Sequence, residues 1–159
     1  MTAVTEFKFL FGNIVFLSAF SSLCFSQILK MVVYLLTHKH KKPLEAVQLA
    51  IWSTGGMPSS HSALVCSLAA STGFKQGIAS DFFIFSLVFA LVVLRDSLGV
   101  RRAAGLQAKA LNTLGKQASE KLGLEFNPVK EINGHSMLEV LIGGILGILI
   151  AIGFYLVFK

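Results

Sequence analysis

From Met137 to Phe158 the chain reads MLEVLIGGILGILIAIGFYLVF, a run that carries one charge, Glu139. At about 1.5 Å per residue such a helix is roughly 30 Å long, the thickness of the hydrocarbon core of a bilayer. Two more windows behave the same way. Phe9 to Leu36 is apolar apart from Asn13, scattered Ser, Gln27 and Lys30, and Phe82 to Leu98 carries FFIFSLVFALVVL ahead of Arg95-Asp96. A fourth, Ser59 to Ala79, has a shorter apolar part and needs Lys75 to snorkel from its far end. With 54% apolar and 14% charged residues, the 159-residue chain holds more apolar surface than a small soluble domain can hide. The expectation is one all-α integral-membrane domain over 1–159 with about four transmembrane helices. The first window is too long for the apolar region of a secretory signal, so it reads as a permanent helix. Cys24 and Cys66 lie inside spans and read as small buried hydrophobes.

Two polar segments separate the spans. His38 to Ser60 opens with HKHKKP and continues into a semi-apolar piece, Leu44 to Trp52, which reads as a short re-entrant or interfacial segment. His38 and His40 there are expected to be solvated or near lipid headgroups. Gly99 to Gly134 is expected to hold an amphipathic helix, because Leu111, Leu114, Ala118 and Leu122 recur at helical spacing while Lys109, Lys116, Gln117 and Lys121 take other faces. Together these loops and their flanks carry ten Lys and Arg, against three on the opposite side (Lys8, Lys75 and Lys159). That bias places both loops in the cytoplasm and both termini outside, in a membrane expected to be the bacterial inner (cytoplasmic) membrane. The net charge of +6 is spread beside the spans with no aromatic-interleaved basic motif, which argues against nucleic acid as a partner.

This topology puts several ionisable residues at one face of the membrane. His61 opens the second span, Asp96, Arg101 and Arg102 close the third, His135 opens the fourth, and Lys30 lies a turn or two from the end of the first. Ionisable groups at membrane depth are rare and usually functional. In GGMPSSHSALV, Pro58 suits the first turn of a helix, and the preceding glycines let the backbone approach a ligand closely. A helix starting there aims its free N–H groups at the loops, where Ser59 and Ser60 add hydroxyls and His61 an acid or base. In NGHSMLEVLIGG, His135 and Glu139 share a helix face, so the carboxylate can fix the imidazole tautomer and strengthen the other ring nitrogen as a nucleophile. Arg101 and Arg102 offer guanidinium forks suited to phosphate oxygens. Asp96 is expected to pair with a neighbouring Arg, and GGILG to serve as a helix-packing face. The set makes a phosphoryl-transfer site with no metal and no cofactor required.

These residues resemble a known superfamily. GGMPSSHSALV is similar to the Pro-Ser-Gly-His motif of the type 2 phosphatidic acid phosphatases, whose superfamily includes the vanadium haloperoxidases. GHSMLEVLIGGILG resembles its last motif, and RDSLGVRRAAGLQAKALN looks like the signature of its divergent branch of small membrane proteins. The resemblance implies that His135 is the nucleophile that becomes a phosphohistidine, that His61 protonates the leaving group, and that Glu139 orients His135 where the superfamily usually has Asp. Ser60 stands where Gly is usual, beside the phosphate. Leu35 and Val129 stand where the superfamily has a Lys and an Arg. Lys30 is the stand-in for the first, and Lys130, or Arg101 and Arg102, for the second. The chain is shorter than the usual six-helix core, which leaves shielding by a second subunit, a homo-oligomer, open. Two functions fit: a membrane phosphatase acting on a lipid phosphate or diphosphate, and a non-catalytic lipid-phosphate binder or carrier that keeps the fold.

Overall fold

The computed structural model describes residues 9–37, 56–131 and 134–158. The semi-apolar piece Leu44 to Trp52, His38, His40 and both chain ends lie outside the described residues. Among the described residues there are five long helices: α1 (Ile14–Thr37), α2 (Ser60–Gln76), α3 (Asp81–Leu98), α4 (Val100–Leu122) and α5 (Met137–Val157). Among the described residues there is no strand. The chain is an all-α integral membrane protein.

Among the described residues, three helical runs are long and apolar enough to cross a bilayer: Ile14–Thr37, Asp81–Leu122 and Met137–Val157. The fourth expected span, α2, has 17 residues and is the least apolar of the four. Its position explains why. It packs against α1, α3 and α5, so its neighbours are protein and not lipid. Ser60, Ser62, Ala63, Val65, Ser67, Ala69, Ser71 and Thr72 are all buried along it. Two of these polar side chains return their hydrogens to the helix: Ser71 donates to the Ser67 carbonyl at 2.7 Å and Thr72 to the Leu68 carbonyl at 2.7 Å. The large apolar residues face outward instead, with Phe82, Phe85, Val92, Leu141 and Leu149 all more than half exposed, as lipid-facing positions require.

Small residues let the neighbours close on α2. On α1, Ser18, Ser22, Ser26 and Lys30 recur every fourth residue and are all buried. Ser22 donates to the Ala63 carbonyl of α2 at 3.1 Å. On α5, Gly143 lies so close to the Ser59 carbonyl, and Gly147 to the Ala63 carbonyl, that a Cβ at either position would collide with backbone. GGILG is thus a packing face, as expected, with backbones in contact because no side chain separates them.

The amphipathic helix in the second polar segment is also present. α4 continues from α3 after Gly99 and, of the described helices, contacts α3 alone. It buries no residue, and Leu106, Leu114 and Leu122 are each more than 60% exposed. Pro58 differs from expectation. It precedes the helix and is fully buried, because Ser59 takes the N-cap position and α2 starts at Ser60. A capping serine satisfies an end N–H that a proline at N1 would only have removed.

Candidate active site

The α5 end of the site is built on a capping box. Ser136 is the N-cap of α5: its hydroxyl accepts from the Glu139 N–H at 3.4 Å, and the Glu139 carboxylate accepts from the Ser136 N–H at 3.0 Å. The same carboxylate oxygen lies 3.0 Å from Nδ1 of His135. One side chain therefore closes the helix end and holds the imidazole, leaving Nε2 as the nitrogen free to react. His135 is 3% exposed, so its ring is held by packing as well as by the carboxylate.

The PSSH turn is joined to this assembly through the backbone. The Ser59 N–H donates to the Glu139 carbonyl at 3.0 Å. Ser59 itself is fully buried, and its Oγ takes a hydrogen bond of 2.9 Å from the Ser62 hydroxyl. Its role is to shape the turn. Ser60, also buried, accepts from Gln27 Nε2 at 3.4 Å. Gln27 lies one turn before Lys30 on α1, and its buried Oε1 has no partner among the described residues. Sequence reading noted Gln27 only as a polar residue in a span, yet its spacing from Lys30 was the available signal.

Lys30 is 3% exposed, with its methylene stem against Gly56. Gly56 has φ of +98°, and a Cβ there would meet the Lys30 Cε at 2.9 Å, so glycine answers both the backbone geometry and the close approach. Lys30 lies within electrostatic reach of Glu139. His61, by contrast, sits exposed in the first turn of α2. It lies within the fields of Arg101, His135, Lys30 and Asp96. All five described helices thus bring ionisable residues to one end of the bundle.

Arg101 and Asp96 form the expected pair, Nε to Oδ2 at 2.8 Å, across the α3–α4 junction. Arg102 is exposed and is located by its backbone, on which Gly134 packs directly. Gly134 immediately precedes His135, so this contact brings the nucleophile candidate beside the start of α4. Lys130 is not brought to the group. It is exposed and follows Val129, which is bonded to Asn112, ten residues and about 15 Å along α4 from Arg102. Among the described residues, no three His, Cys, Asp or Glu side chains gather as a metal site.

The sequence profile of the Divergent PAP2 family matches residues 11–150. The chain belongs to the divergent PAP2 family. It is a phosphatase-related membrane protein, and the match covers every residue of the cluster just described. The uncharacterized membrane protein YuiD of Bacillus subtilis (strain 168) is 32% identical over 163 residues, covering 90% of this chain and 94% of that relative. No solved structure matches the chain.

Proposed function

We propose that the protein is a metal-independent membrane phosphatase that hydrolyses a lipid phosphate or diphosphate. The observation that carries the reading is the His135–Glu139 pair at 3.0 Å, with His61, Lys30 and Arg101 gathered at the same end of the bundle. Nε2 of His135 attacks phosphorus, and the bond from phosphorus to the lipid oxygen breaks. His61 gives its proton to the departing oxygen. The positive charge that develops on His135 is matched by Glu139, and Lys30, Arg101 and Arg102 neutralise the equatorial oxygens. Water then attacks the phosphohistidine with His61 as base, which regenerates His135 and releases inorganic phosphate. In this reading the site faces the cytoplasm of a bacterial inner membrane, with substrate drawn from the adjoining leaflet.

The test is phosphate release by detergent-purified protein from phosphatidic acid, phosphatidylglycerophosphate and a polyprenyl diphosphate, with His135→Ala alongside. Release that is lost in the variant supports the phosphatase and identifies its lipid class. A second reading, a lipid-phosphate binder without turnover, is favoured by Leu35 and Val129, which stand where a Lys and an Arg would be expected. Acid-labile label trapped on His135 separates the two, because a binder forms no phosphohistidine.

A further inference from the structure

The segment after α4 does not leave the helix but runs back along it. Gly123, with φ of +64°, ends the helix in the left-handed conformation that turns the chain around. Phe126 then packs against Gly115, so close that a Cβ at 115 would collide with its ring. Three residues on, Asn112 makes a two-point bond with the backbone of Val129. Its Nδ2 donates to the Val129 carbonyl at 2.9 Å, and its Oδ1 accepts from the Val129 N–H at 2.9 Å. The second hydrogen of Nδ2 goes to the Glu131 carboxylate, also at 2.9 Å. Among the described residues, the returning chain next meets α4 where Gly134 rests on the Arg102 backbone, and His135 follows.

From this geometry we infer that Asn112 is a positioning residue for His135. The inference rests on the phosphatase reading for its consequence on turnover, but not for its structural content. A primary amide presents a donor and an acceptor in one plane, so it can stand in for a neighbouring β-strand and hold an extended segment at a fixed register. Asp offers only acceptors, and Gln places its amide one methylene farther out. Successive contacts at Gly115, Asn112 and Arg102 run antiparallel to those at Phe126, Val129 and Gly134. They fix how far the chain has travelled when it reaches α5. His135 is the first residue beyond the last of these contacts. A strap that is free to slide would deliver it to Glu139 in a distribution of poses, whereas a clamped strap delivers one. Small errors of placement at a reacting group lower rate steeply.

The experiment compares wild type with Asn112→Ala and Asn112→Asp by three readouts. Hydrogen exchange at the Val129 amide reports the clamp, carbethoxylation of His135 by diethyl pyrocarbonate reports the burial of its ring, and phosphate release reports turnover. In Asn112→Ala, exchange at Val129 and modification of His135 should both rise about tenfold or more, as loss of one to two net hydrogen bonds implies. The kcat should fall with KM little changed. Asn112→Asp should be at least as impaired, because a carboxylate then faces Glu131. Adding Glu131→Gln should restore part of the loss, since the introduced amide can donate to the carboxylate at 112. Faster exchange at Val129 with His135 modification unchanged overturns the inference, as does a rise in His135 reactivity in Asn112→Asp that Glu131→Gln leaves untouched. If Asn112→Ala does not fold, Phe126→Ala loosens the same strap at its other pin, and unchanged His135 reactivity there overturns the inference equally. Should wild type release no phosphate from any lipid, the phosphatase reading fails while the exchange and modification readouts still decide this one.

Discussion

The Ser59 N–H donates to the Glu139 carbonyl at 3.0 Å, a backbone bond between two motifs eighty positions apart in the chain. It makes the helix that carries His61 and the helix that starts just after His135 a single assembly at their adjoining ends. Gly143 and Gly147 permit it, because any side chain at either would push the helices apart before the bond could form.

Glu139 is expected to matter through orientation and charge rather than through folding. Glu139→Gln can still accept from the Ser136 N–H, so the helix end stays closed. It cannot match a developing imidazolium. Turnover should fall about 10²- to 10⁴-fold with KM nearly unchanged, by analogy with removing the acid that braces a catalytic histidine. An undiminished kcat, measured by phosphate release, would take Glu139 out of the mechanism.

Gly143→Val and Gly147→Val should each lower stability by about 1–3 kcal/mol or more, the range for overpacking a close contact. Gly153, also on α5, has nothing near it. Gly153→Ala should be neutral or stabilising by about 0.5–1 kcal/mol, since a helix-interior glycine gains from replacement. Thermal unfolding in detergent compares the three, and equal effects at 143 and 153 would contradict the packing described for α2 and α5.

Lys30→Met keeps an unbranched stem against Gly56 and removes the charge. Inhibition by inorganic phosphate or vanadate should weaken about tenfold to a hundredfold, as loss of a charge-assisted bond to an anion implies. An unaltered inhibition constant would leave Lys30 a structural residue.

The Asp96–Arg101 pair should contribute little to stability despite its 2.8 Å contact. Both side chains are 40% exposed, and such pairs are worth about 0–1 kcal/mol. Asp96→Asn should therefore leave the melting temperature within a few degrees of wild type, checked in the same detergent, while a large drop would point to an additional partner.

Sidedness is checked with a cysteine at an exposed position of α4. Lys116→Cys should resist an impermeant thiol reagent in intact cells and react once they are permeabilised. Labelling of intact cells would place the site loops outside.

Much of the candidate site was legible because its chemistry is local. His135 and Glu139 are four apart, and the capping box at the start of α5 turns the Glu139 carboxylate back toward the residue before the N-cap. The Asp96–Arg101 pair is close in sequence too. Gln27 was passed over because a lone amide in an apolar span has no local partner to announce it, and its contact, Ser60, lies on another helix. In sequence Lys130 stands beside Val129, the position where the resemblance implies an Arg. The strap turned it away, because Asn112 holds the preceding residue against α4.

What the sequence determined by itself is the solvent and the secondary structure. Twenty-residue apolar runs leave a chain no stable alternative to spanning helices, since hydrocarbon offers no partner for a free backbone group. The Lys and Arg distribution, the capping serines and the i, i+4 acid–histidine pair are equally one-dimensional signals. What only the tertiary structure decided is which helix is inside and what meets at its end. α2 is the least apolar of the four because the other three surround it. Its place follows from small residues on two neighbours, whose fit depends on backbone shapes matching across tens of residues of intervening chain. The delivery of His135 beside Arg102 likewise rests on Asn112 reading a backbone seventeen residues away. Periodicity and motif spacing carry no trace of such a contact, because it is made by the fold and not by the neighbours of either residue.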